Sequence, residues 1–121
     1  QSEAIRKIAD RESCVLVGRC ADYILRDYKG LFTFFIHNTT ENRIERIIEQ
    51  LGLMPEQAKD LMLRTDKSRA AYYNYFTNKV WGASASYDLS IDVSVLGVDE
   101  SVKYMMDFVL RKMDSIPPHF G

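Results

Sequence analysis

Two arginine-bearing stretches are where this sequence could do chemistry. One is Gly18-Arg19, directly after the apolar run Cys14-Val15-Leu16-Val17. The other is Arg64-Thr65-Asp66-Lys67-Ser68-Arg69, with Arg43 and Arg46 on an earlier segment. A guanidinium group presents a planar fork of donors that matches phosphate oxygens, so clustered arginines suit a phosphorylated ligand. On a helix Arg43 and Arg46 share a face, and so do Asp66 and Arg69. Asp66 is therefore expected to hold Arg69 by a charge-assisted bond, leaving its other donors for a phosphate. The plainer reading is a solvated helix face, the usual fate of a charge run. At Gly18 a ligand can approach the backbone closely, although Arg19 could equally be a side chain leaving a strand for solvent.

Aromatic residues follow the charges: Tyr72-Tyr73-Asn74-Tyr75-Phe76, then Lys79-Val80-Trp81-Gly82. Aromatics interleaved with basic residues can stack on a base, or can fold as an apolar patch against a core. Asp92, in a strand, is a weak candidate for a magnesium-bound water. His37 closes a strand with no partner in sight and reads as structural. Cys20 has no neighbouring histidine, so nothing marks it as a nucleophile. Two cysteines and two scattered histidines fit no zinc spacing. A strand between Cys14 and Cys20 would hold them about 20 Å apart, too far for a disulfide, and the expected setting is reducing and cytoplasmic.

The elements that must position these side chains follow from periodicity. Ser2–Asp10 reads as a helix, and Cys14–Val17 as a strand buried on both faces, closed by Gly18. Ala21–Leu25 is a brief helix and Leu31–His37 a second apolar strand. Thr40 is the expected N-cap of a helix whose face is Ile44, Ile47, Ile48 and Leu51, with Gly52 as its stop. Pro55 opens another helix that carries Ala58, Leu61 and Met62 to Asp66, and on toward Tyr73. Residues 74–86 lose periodicity and read as loop. Leu89–Val93 is a third strand. Asp99–Met113 is a helix with Val102, Met105, Met106, Val109, Leu110 and Met113 on one face. Strands separated by helices imply parallel pairing, hence an α/β three-layer fold.

A chain of 121 residues supports one domain, expected over 1–116 with a tail at 117–121. A net charge of −1 argues against nucleic acid as partner, and no apolar stretch approaches a membrane span.

These segments together resemble the cytidylate-kinase-like proteins. The resemblance rests on Cys14-Val15-Leu16-Val17-Gly18-Arg19-Cys20-Ala21-Asp22, Phe34-Phe35-Ile36-His37, Glu41-Asn42-Arg43-Ile44-Glu45-Arg46, the Thr65–Tyr75 segment and Lys79-Val80-Trp81-Gly82. It implies a three-layer, parallel-sheet P-loop kinase fold, with a lid-like segment at about 64–86 and phosphoryl transfer from ATP, with magnesium, to CMP or a related nucleotide. The residues it assigns to catalysis are Arg64, Asp66 and Arg69. Gly18, Arg19, Asp22, Tyr72 and Tyr73 would bind the acceptor, and Arg43, Arg46 and Lys67 the nucleotide phosphates. Cys20 stands where cytidylate kinases of the usual pattern carry Asp. No Gly-x-x-x-x-Gly-Lys-Ser/Thr occurs, and the six glycines are isolated. The expectation is an N-terminally truncated core whose phosphate-loop strand precedes Gln1, inactive alone, with ATP and Mg2+ belonging to the intact parent. The gap that loss leaves between Cys14–Val17 and Phe32–Ile36 is expected to close by direct pairing of the two strands, by a partner's strand or by an upstream fragment. The alternative is a non-catalytic nucleotide- or protein-binding module of the same fold.

Overall fold

The computed structural model describes residues 2–18 and 20–115. In chain order the elements are α1 (Ser2–Arg11), α2 (Ala21–Ile24), β1 (Phe34–His37), α3 (Thr40–Leu51), α4 (Pro55–Thr77), a 3-10 turn at Ser84–Ser86, β2 (Leu89–Asp92) and α5 (Val93–Ser115). The expected tail at 117–121 and the expected ligand contact of Arg19 lie outside the described residues.

β1 and β2 pair in parallel, Phe34 opposite Leu89 and His37 opposite Asp92. Successive side chains of a strand point to opposite faces, and the two phenylalanines show it. Phe34 meets Phe108 of α5 edge to face at 5.9 Å, whereas Phe35 meets Trp81 at 5.3 Å and Tyr87 at 5.1 Å. The sheet thus lies between α5 and an aromatic loop. Gly82 lets that loop close: at φ +83 a Cβ would sit 3.2 Å from the Phe35 ring, so a side chain there would be strained and crowded. Both strands are pinned where they begin. Asp88 accepts from the Thr33 amide at 2.8 Å and from Lys112 Nζ at 2.7 Å, and the same ammonium reaches the Leu31 carbonyl at 2.8 Å. Partial burial pushes the Asp88 carboxyl up, but the Lys112 ammonium and the Thr33 bonds outweigh it and hold the group below its ordinary range.

Away from the sheet, Ile5, Ala21 and Leu25 form a small core between α1 and α2, with Leu16, Tyr28 and Leu31 packed on it. α3 and α4 make an antiparallel hairpin in which Ala58 and Met62 are buried. Thr39, not Thr40, caps α3, its hydroxyl accepting from the Asn42 amide at 3.2 Å. A cap must sit in extended backbone, and Thr39 is the last residue that does.

Three expectations are corrected. Cys14–Val17 forms no strand and does not pair with β1, since β2 is the only strand joined to it among the described residues. With no strand alongside, Val15 and Val17 are 90% and 88% exposed while Leu16 turns inward. The loop expected from residue 74 is helix to Thr77, where Asn78 takes the left-handed conformation and donates to the Asn74 carbonyl. Tyr73 and Thr77, one turn apart, continue the buried face there, and the exposed Tyr72, Tyr75 and Phe76 mask that period in the sequence. Finally, α5 begins six residues earlier than Asp99 and breaks at Gly97, φ 79 and ψ 174. Its buried side runs through Ser101, Phe108 and Lys112, so Val102, Met106, Leu110 and Met113 stay exposed. A sheet of two strands is too narrow to cover them. No described helix is long and apolar enough to cross a membrane.

Candidate functional site

α4 sets the geometry. Met62, Asp66, Arg69, Tyr73 and Thr77 recur every three or four residues and therefore share one face. Met62 at one end is buried against α3, and Tyr73 and Thr77 at the other are buried against the body. Asp66 and Arg69 lie in the span between. The hairpin brings Arg43 across, and its guanidinium donates to Asp66 Oδ1 at 2.6 Å. The expected Asp66–Arg69 bond is therefore replaced by Arg43–Asp66, because an antiparallel neighbour delivers a guanidinium to the same carboxylate. Arg69 is exposed and makes no ion pair with any described residue.

Beyond Arg69 the helix presents aromatics. Tyr72 packs against Phe76 with centroids 4.6 Å apart and the rings tilted by 46°, and Phe76 meets Tyr75 edge to face at 5.0 Å. Arg69, Tyr72 and Phe76 follow at i, i+3 and i+7, so an open cation adjoins an exposed aromatic pair along one stripe. Arg64, two and a half turns before Tyr73, points to the opposite side of the helix, and Lys67 is also turned from the Asp66–Tyr73 face. Arg46 is exposed on α3, one turn from Arg43.

The segment before α2 meets α4 at its far end. Gly18 and Cys20 adopt positive φ, 71° and 56°, and α2 follows at once. Asp22 on α2 accepts from the Tyr73 hydroxyl at 2.7 Å. Tyr73 is 6% exposed, and burial, followed by the bond to Asp22, pushes its phenol far above the ordinary range. Burial and then the Asp22 charge raise the Cys20 thiol too, which lowers its thiolate fraction and its reactivity. The end of α4 is secured further: the Thr77 hydroxyl donates to the Tyr73 carbonyl at 2.7 Å, and the Trp81 amide donates to Asn74 Oδ1 at 2.8 Å.

At the carboxyl ends of the strands His37 and Asp92 stand opposite each other in register. The Ser94 bonds hold the Asp92 carboxyl low, with a lesser pull from His37. The structure thus brings Arg43 of α3 to the α4 face that carries Asp66 and Arg69, and joins Asp22 to Tyr73 at its end. Arg46, Arg64, Lys67 and Tyr72 remain on the surface. The pairings Arg43–Asp66 and Asp22–Tyr73 span 23 and 51 residues, and no local spacing signals them.

The left-handed glycines 18, 52, 82 and 97 are dispersed over separate turns, so none builds the run of consecutive amides that cradles phosphates. Among the described residues no group of three His, Cys, Asp or Glu side chains is placed to hold a metal ion.

Comparison with known proteins agrees with the resemblance read from the motifs. The model of the cytidylate kinase-like family matches residues 1–95. Among solved structures, an uncharacterized protein from Eubacterium ventriosum ATCC 27560 is similar, with 32% identity and a TM-score of 0.86. The match covers 89% of this chain and 62% of that one, so the chain spans less than two thirds of that protein. No curated protein matches.

Proposed function

Because the chain belongs to the cytidylate kinase-like family, we propose that it is a portion of a P-loop nucleoside monophosphate kinase and that it holds a CMP-like nucleotide. The observation that carries this is Arg69, an exposed guanidinium without an acidic partner among the described residues, beside the tilted Tyr72–Phe76 pair. A phosphate suits the open fork of donors and a base suits the aromatic surface. Arg43 neutralises Asp66, which removes the nearest negative charge from the path of an anionic ligand. The buried end of α4 keeps this face rigid, as phosphoryl transfer demands of groups that must meet charge in one geometry.

In this reading the transfer of phosphate from ATP belongs to the whole kinase, and no step of it is assigned to residues of this chain. A further parallel strand, from an upstream fragment or a partner, would pair with the free edge of β1. It would also cover Val15, Val17 and the open face of α5, exposed apolar groups that a completed sheet buries. A coupled ATP-consumption assay with CMP tests the division of labour. The expected result is negligible turnover by this chain; substantial turnover contradicts it.

A second reading, a non-catalytic module of the same fold, is favoured by the exposure of Tyr75 and Val80 beyond what one nucleotide covers. It differs in its response to substitution. The kinase reading ties CMP affinity to Arg69, whereas a protein-binding module shows no saturable CMP binding.

A further inference from the structure

We infer that Tyr73 is a positioning residue, which through its hydrogen bond to Asp22 sets Arg69 against the Cys20–Asp22 segment without touching the ligand itself. The inference rests on the nucleotide reading above and adds how its two halves are kept in register. Arg69 lies four residues before Tyr73 on an unbroken helix, so fixing Tyr73 fixes the height and rotation of Arg69 within about one helical turn, roughly 5.4 Å.

The anchor is built to hold. The Tyr73 hydroxyl lies 2.7 Å from Asp22 Oδ2 across 51 residues of chain. Its ring is buried and lies 6.5 Å from Tyr87, which packs on Phe35 of β1. The bond therefore ties α2, the end of α4 and the sheet at one point. The far half of α4 is held by α3, so the orientation of the Arg69 face relative to that segment depends on this end. Asp22 and Tyr73 consequently serve the acceptor site as a unit: the carboxylate is occupied by the phenol, and the phenol is closed to solvent. The raised phenol keeps its proton through the neutral range, so the donor persists wherever a kinase works.

A double-mutant cycle on CMP affinity tests the inference, with Tyr73→Phe, Asp22→Ala, the pair and Asp22→Asn. Loss of a hydrogen bond to a charged group weakens CMP binding about tenfold in Tyr73→Phe. Asp22→Ala is expected to do the same, and the pair no worse than either alone. Asp22→Asn, which keeps an acceptor for the phenol, retains most of the affinity. Melting temperatures and amide exchange are measured on every variant. Tyr73→Phe is expected to speed exchange in residues 21–25 while leaving α3 unchanged. CMP affinity that survives Tyr73→Phe, or single losses that add in the pair, overturns the positioning role alone. Absence of CMP binding by the unaltered chain overturns the nucleotide reading and this inference with it, whatever the exchange shows.

Discussion

The α4 region and the region around Cys14–Val17 and α5 are built in opposite ways. Along α4 several polar groups have partners: Asp66 with Arg43, Tyr73 with Asp22, Asn74 with Trp81. Arg69 is left open. Around α5 the unpartnered groups are apolar: Val15, Val17, Val102, Met106, Leu110 and Met113 face solvent. Burial of such side chains is worth about 1.5–3 kcal/mol each when it is complete. One region therefore has its polar groups paired around a single open cation, and the other leaves apolar side chains in solvent. Bonds reaching in from α2 and α3 shape the helical face, whereas a sheet of two strands covers only part of the apolar surface packed beside it.

Substitutions can sharpen this contrast. The largest effect is expected at Met62, buried in the hairpin. Met62→Ala should cost about 2–4 kcal/mol in denaturant unfolding, and a cost near zero would show the α3–α4 interface to be as loosely packed as the α5 face. Gly82→Ala comes next. It forces an L side chain to a left-handed φ and onto the Phe35 ring, with an expected cost of about 1–3 kcal/mol.

Acid is a gentler probe of the sheet's lower edge. The depressed Asp88 carboxyl contributes stability that is present above its ordinary value of about 3.9 and is lost as pH falls through the lower folded value. Melting temperature should therefore drop below about pH 4, and Asp88→Asn should be less stable at neutral pH with a shallower acid decline. The smallest effect is expected at Val15. Val15→Thr should change stability by no more than about 0.5 kcal/mol, because the side chain touches little. A larger loss would place a neighbour over it.

Much of this was legible in the residues themselves. The apolar period Ile44, Ile47, Ile48 with the Gly52 stop marks α3, and Pro55 marks the start of α4, because caps and periods are local. Asp66 and Arg69 were legible as a shared face for the same reason. The partner of Asp66 was not, because Arg43 reaches it only after the hairpin folds. Nor was the Asp22–Tyr73 bond, whose two residues stand far apart in the chain. Cys14–Val17 has a strand's composition and no strand's structure here, since β-propensity describes a fit to neighbours rather than a property of the segment. Likewise α5 carries the apolar face that its period indicates, but Val102, Met106, Leu110 and Met113 on it stay exposed.

The central claim is that the open Arg69 face of α4 holds the phosphate of a CMP-like nucleotide. Calorimetric titration of CMP into this chain tests it most directly, with Arg69→Ala and, on the remote surface of α5, Lys103→Ala. The account predicts saturable binding that is weakened at least tenfold by Arg69→Ala and unchanged by Lys103→Ala. Binding that is absent, or that both substitutions weaken equally, would contradict it.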